Sequence, residues 1–197
     1  MLPGMSAGHQ PTVSFTAMAD GTKQDYELLD RREAEYTERL PDRLLAAVQA
    51  LEHSLSGYQV TRYEHSLQSA TRALRDGRDE EYVVMALLHD IGDELAPHTH
   101  SEMTGAVLRP FVRPQLVWIA SHHGAFQLYY YGHHYGIDRD IRDRWAGHEH
   151  YDACVEFCER YDQNCFDPSY DSEPLETFAP MVRRVCSAPR YLPDDYV

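Results

Sequence analysis

The chain reads as an all-α protein built as a single helical domain. Three observations predict this. Apolar residues recur at three- and four-residue spacings along most of the chain. Prolines and capping residues stand where those runs begin, and glycines where they end. No segment of useful length alternates apolar with polar residues, and no internal repeat is visible. With 197 residues, 43% hydrophobic and 11% aromatic, the chain can bury one full core.

The elements follow in order. Residues 1–21, rich in small residues, glycine and proline, suggest a flexible N-terminal arm. The domain is expected over 22–197, with a helical extension at its start and a helix at its C-terminus. "DRLLAAVQALEHSL" (Asp42 to Leu55) follows Pro41, takes Asp42 as its cap and stops before Gly57-Tyr58. "TRYEHSLQSATRALRDG" places Tyr63, Leu67, Ala70 and Leu74 on one stripe and ends at Gly77. Asp79, Glu80 and Glu81 suit the positive end of the next helix, whose body is "YVVMALLHDIG". Ser101 can cap "EMTGAVLR", which stops at Pro110, and Pro114 can open "QLVWIASHHGAFQLYYYGHH". A short helix is expected from Arg139 to Trp145, an amphipathic one from His150 to Asp162, and a last one after Pro174. "FDPSYDSEP" reads as a turn-rich connection that could form a lid. The total is roughly seven or eight helices.

Composition narrows the function. Eighteen basic residues against 32 acidic ones give a net charge of −14. Nucleic acid and anionic membranes are poor partners for such a surface, so a small-molecule substrate is expected. The single lysine, Lys23, excludes a lysine-based phosphate grip or Schiff base in the second half of the chain. No run of about 18 apolar residues predicts a membrane span. The N-terminus lacks a basic region followed by an apolar one, which suits a cytoplasmic protein. Cys154, Cys158, Cys165 and Cys186 form no CxxC pair and read as reduced, partly buried thiols rather than a zinc site. Oligomeric state is left open.

The question is posed by "ALLHDIGDELAPHTH" (Ala86 to His100), where an apolar run ends in His89-Asp90 and more imidazoles follow. His65 lies inside an earlier helix, 24 residues before His89, so two antiparallel helices can present both to one point. His100 precedes a helix, His122-His123 lies within another, and Asp162 ends a later one. Any one buried histidine is ordinarily a satisfied core residue. The ordered set is different, because without a metal every buried polar group needs its own partner. Imidazole and carboxylate suit iron, manganese and zinc, and Asp90 can bridge two ions about 3.5–4 Å apart.

These motifs resemble the HD-domain superfamily, named for its His-Asp doublet. The likeness rests on "YEHSLQSATRA", "ALLHDIGD", "HSEMTGAVLRPF", "HHGAFQLYYY" and "CERYDQ", across roughly 57–165. Most members are metal-dependent phosphohydrolases. The chain is more similar to the oxygenase branch, which holds myo-inositol oxygenase and the dioxygenases that cleave hydroxylated phosphonates. That resemblance implies an HD-domain helical bundle and two iron ions in a mixed-valent Fe(II)/Fe(III) state, with dioxygen as co-substrate. His65, His89, Asp90 and Asp162 would hold one ion. Asp90, His100 and His123 would hold the other, with Asp90 as the central catalytic residue. A hydrolase is the alternative. Phosphonate-cleaving relatives carry a tyrosine, a glutamate, a histidine and a lysine where this chain has Leu55, Tyr58, Asp93 and Gln127. The resemblance therefore implies a weakened anion grip. Asp93, Gln127 and Tyr58 become candidate substrate contacts, suited to a hydroxylated substrate bearing an amine or quaternary ammonium; Asp93 reads equally as a cap or as the partner of an arginine. The acidic and neutral residues Asp93, Glu94, Glu102 and Gln127 lie around the ligands, and arginines are expected mostly elsewhere.

Overall fold

A computed structural model describes residues 11–192. It contains eight α-helices and several short 3-10 turns, with no strand among the described residues, as the periodicity predicts. The chain divides between Leu40 and Pro41 into two compact units.

In the first unit, α1 (Lys23–Glu38) opens with a capping box. The Thr22 hydroxyl accepts from Asp25 N, and the Asp25 carboxylate accepts from Thr22 N in return. Half of the expected arm, residues 1–10, lies outside the described residues. In the other half, Ser14 donates to Asp25 through both N (2.7 Å) and Oγ (2.9 Å), and Phe15 stacks on Tyr26 at 5.7 Å.

The second unit is built around α4 (Glu80–Leu88). Every residue from Tyr82 to Leu88 is buried, so the helix is apolar all round and belongs inside the bundle. Asp79 caps it by accepting from Tyr82 N at 3.0 Å. Around it pack α3 (Arg62–Arg75), α6 (Pro114–Tyr131) and α8 (Leu175–Val185), while α5 (His100–Leu108) lies along α6. The remaining helices are α2 (Leu40–Ala50) and α7 (Tyr151–Phe157).

Several boundaries differ from the sequence reading. Asp42 lies inside the first turn of α2 instead of capping it. Ser101 is not a cap: α5 begins at His100, and the preceding Thr99 makes no side-chain cap bond. Packing decides that start, because His100 is pressed against Gly92. The segment before Trp145 is a 3-10 turn, Ile141–Trp145. The helix expected to reach Asp162 stops at Phe157 and continues as a π-helical turn, Cys158–Asp162.

The connection after Cys165 is fastened to α3. Gln68 Nε2 donates to Asp167 O at 2.8 Å, Glu173 N donates to Thr71 Oγ1 at 3.0 Å, and Arg72 lies 4.1 Å over the Tyr170 ring. All four cysteines are free and buried. No helix among the described residues is long and apolar enough to cross a membrane.

The start of α3 is fixed by a second capping box. Thr61 Oγ1 accepts from Glu64 N at 3.1 Å, and Glu64 Oε2 accepts from Thr61 N at 2.7 Å. Thr61→Ala should cost about 1 kcal/mol in urea unfolding, while Thr61→Ser should keep most of it. An unchanged midpoint in the alanine variant would show that packing alone fixes this end.

Candidate metal centre

The cap of α3 places His65 on the helix's buried face. Its Nδ1 lies 3.0 Å from Cys165 O, and a carbonyl can only accept, so Nδ1 carries the proton. His89 closes the buried run of α4, with Nδ1 donating to Ala86 O at 2.7 Å. The two Nε2 atoms then face each other 3.1 Å apart. In neutral imidazoles both present lone pairs, so the contact requires a cation between them or a proton on one of them.

Asp162 completes this half. Its Oδ1 lies 3.4 Å from His65 Nε2 and 3.8 Å from His89 Nε2, while its buried Oδ2 has no hydrogen-bond partner. The π-helical turn is what delivers it: the wider step buries Tyr161 and Asp162 side by side, and such turns recur at functional sites.

Asp90 divides its carboxylate between two pairs of imidazoles. Oδ2 lies 3.3 Å from His65 Nε2 and 3.2 Å from His89 Nε2. Oδ1 lies 3.2 Å from His123 Nε2 and 3.7 Å from His100 Nε2. His123 is oriented by donation from Nδ1 to Ala120 O at 2.8 Å. Its neighbour His122 points elsewhere, bonding Trp118 O at 2.8 Å and stacking on the Trp118 ring at 4.2 Å. All six predicted residues therefore converge, with Asp90 at the middle. Two donors each about 2.1 Å from one ion, at right to tetrahedral angles, stand roughly 3.0–3.4 Å apart. The facing imidazoles at 3.1 Å and Asp162 Oδ1 at 3.4 Å from His65 fit that spacing, and Asp162 Oδ2 is left without a partner, so the donor set suits metal ions.

Arg62 corrects the expectation that arginines lie elsewhere. Its Nη2 donates to Asp90 Oδ2 at 2.6 Å and its Nε to Asp93 Oδ2 at 2.9 Å. It was missed because an arginine at a helix start reads as a solvated residue. The available signal was spacing: Arg62 stands three residues before His65, on the same face of α3. Burial opposes its charge, but Asp90 and Asp93 raise its pKa further above the usual range. Burial likewise opposes the charge of Asp90, and Arg62 and His89 hold its pKa well below the usual value. For His89, burial is outweighed by Asp90 and Asp162, which push its pKa up to about 10. Burial and the nearby His123 lower that of His100.

The candidate substrate contacts lie differently. Asp93 is engaged by Arg62 and faces His100. Gln127 is buried one turn beyond His123 on α6. Tyr58, 51% exposed, stacks at 4.9 Å on Phe166, which itself stacks at 4.4 Å on His65. Phe166 is a second residue the sequence did not reveal, since its segment reads only as a loop. His148 belongs to a separate aromatic group, stacked on Trp118 at 4.4 Å.

A model of the HD domain family matches residues 62–160, half of the chain. Over 84 residues the chain is 36% identical to a 1-hydroxy-2-(trimethylamino)ethylphosphonate dioxygenase (glycine-betaine-forming) of Leisingera caerulea. That match covers 37% of this chain and 43% of the relative's length.

The facing imidazoles have a consequence for pH. In the metal-free protein His89 holds a proton up to a pKa of about 10. Its contribution to stability is full below the ordinary histidine value of about 6.5 and is lost as pH rises through 10. Asp90 and Asp162 are depressed, so theirs is present above the ordinary aspartate value and lost as pH falls. Binding of a divalent cation near neutral pH should displace the His89 proton and tighten as pH rises. Calorimetry in two buffers of different ionisation heat checks this; identical apparent enthalpies would mean that no proton leaves.

Proposed function

Because the chain belongs to the HD domain family, we propose that it is a non-haem di-iron oxygenase acting on a small hydroxylated substrate that bears an amine or quaternary ammonium group. The observation that carries the reading is the division of the Asp90 carboxylate, Oδ2 toward His65 and His89 and Oδ1 toward His123 and His100. It supports two ions sharing one bridge. The likeness to a dioxygenase favours oxygen chemistry over phosphate-ester hydrolysis. That relative's named substrate carries both a hydroxyl and a trimethylamino group.

When bound, a mixed-valent iron pair supplies the binding and activation of dioxygen. His65, His89 and Asp162 would hold one ion, His100 and His123 the other, and Asp90 both. Four side chains would hold one ion and three the other, so the protein would supply fewer donors on the His100–His123 side. The chain's own work is to hold these donors, all buried but His100, and to orient the substrate's C–H bond. Arg62 keeps Asp90 ionised and fixed. Asp93 is already paired with Arg62 at 2.9 Å, whereas the same guanidinium stands 5.7 Å from the Tyr58 ring, so the substrate cation falls to aromatic faces instead. Tyr58 is the leading candidate, and Tyr131 is its neighbour, with its pKa raised by burial and by Tyr58. Gln127, uncharged where phosphonate-cleaving relatives have a lysine, leaves a plain hydroxyphosphonate the poorer substrate.

The test is oxygen consumption by the iron-loaded enzyme over hydroxylated amines, polyols and hydroxyphosphonates. Turnover should be fastest with a hydroxylated quaternary amine. Tyr58→Ala should raise KM for it by about 2- to 30-fold, the worth of one cation–π contact, with less effect on kcat. Fast turnover of a plain hydroxyphosphonate would overturn the substrate class. Hydrolysis of phosphate esters without oxygen uptake would make the protein a phosphohydrolase.

Asp90→Ala should lose both ions and all oxygen uptake, and its melting temperature should fall below that of the metal-loaded wild type. A variant that retains two ions per chain by elemental analysis would rule out the bridging role.

A further inference from the structure

Three of the four site imidazoles are oriented by main-chain carbonyls: His65 by Cys165 O, His89 by Ala86 O and His123 by Ala120 O. His100 is the exception. Its Nδ1 faces Asp93 Oδ1 at 3.6 Å, within ion-pair range and slightly beyond a hydrogen bond. It is also the most exposed of the four, at 24%.

The seat for His100 is built around it. Asp93 follows Asp90 in a tight turn in which Asp93 N donates to Asp90 O at 3.0 Å. A Cβ on Gly92 would stand 2.5 Å from His100 O, so only glycine lets the turn come this close. A Cβ on Gly124 would meet Ser101 Oγ at 2.8 Å and the His100 ring at 3.4 Å. The other oxygen of Asp93 accepts from Arg62 Nε at 2.9 Å, and the same guanidinium donates to Asp90. One arginine thus joins the central carboxylate to the carboxylate behind His100.

We propose that Asp93 is a positioning residue that orients His100, with Arg62 as its countercharge, and that it sets the ion affinity of the His100–His123 half alone. The inference rests on the two-ion reading above. A carboxylate behind an imidazole fixes its tautomer and makes the opposite nitrogen a better donor. His100 needs that support most, because solvent reaches it and no carbonyl holds it. Arg62 is required because Asp93 would otherwise set a bare negative charge beside Asp90. The other half takes its orientation from the backbone and needs no such carboxylate.

The experiment is a manganese(II) titration of the metal-depleted full chain, with free ion followed by electron paramagnetic resonance and melting temperatures checking the fold. The wild type should bind two ions. Asp93→Asn, equal in shape, should bind one as before and the other about 10- to 100-fold more weakly. Asp93→Ala, which also removes the acceptor, should weaken that second ion further. Two ions at wild-type affinity in both variants would overturn the inference while leaving the two-ion reading intact. Parallel weakening of both ions would also overturn it, by showing a general structural effect. A wild-type chain that binds a single ion would overturn the two-ion reading and this inference together. None of these outcomes depends on oxygen uptake, so they stand apart from the test of the activity.

Discussion

The 3.1 Å contact between His65 Nε2 and His89 Nε2 is the constraint on which the rest of the site depends. Neither ring can relieve it by turning over, because each Nδ1–H is committed to a buried carbonyl. Three carboxylates, Asp90, Asp93 and Asp162, gather around these rings, offset without a metal by one guanidinium and the proton on His89. Buried charge of this kind costs several kcal/mol unless it is compensated. Positive charge at the centre converts the cost into attraction, so metal binding and folding share part of their free energy. The same cation would tie together α3, α4, α6 and the π-helical turn, which contribute the donors.

The scaffold treats the two halves of the centre differently. α4 is buried on every side, so His89 and Asp90 leave its end in a direction fixed by apolar packing. His65 is anchored by the capped α3, and Asp162 by a turn whose Tyr161 is itself packed in the core. His100 stands at the first residue of α5, where the helix has no side-chain cap and solvent reaches the ring. Rigidity is concentrated on the four-donor side. The His100–His123 side depends on side-chain contacts.

These differences explain what the sequence could and could not reveal. The all-α class was legible because helical periodicity is local. The histidines and aspartates were legible because few other residue types in ordered, buried positions do the same chemistry. Arg62 was not, because its partners lie 28 and 31 residues away: its spacing from His65 puts it on the right face of α3 but does not name what it contacts across helices. For the same reason Asp93 stood open between a substrate contact and the partner of an arginine that the sequence could not name. The π-helical turn leaves no periodic signature over five residues, and the start of α5 is set by the approach of Gly92 and not by a capping residue. The division at Leu40–Pro41 falls within a helix, where composition marks no linker.

The contacts already made by the site carboxylates also bear on recognition. Asp90 and Asp93 are held by Arg62, and Asp162 by two imidazoles. A cationic group approaching any of them meets a guanidinium or a donor nitrogen first. The Tyr58 ring is less closely engaged: Arg62 Cζ stands 5.7 Å from its centroid, well beyond the 2.6 and 2.9 Å contacts the same guanidinium makes with Asp90 and Asp93. The stack from Tyr58 through Phe166 to His65 runs from a half-exposed ring to a buried ligand candidate in steps of 4.9 and 4.4 Å. Phe166 directly follows Cys165, whose carbonyl orients His65, and the next residue, Asp167, is clasped by Gln68 of α3. This aromatic wall is therefore held by the same helix that carries His65 and Arg62. A substrate resting its cation on that wall would have its position referred directly to the donor atoms, which is what abstraction from one particular C–H bond demands.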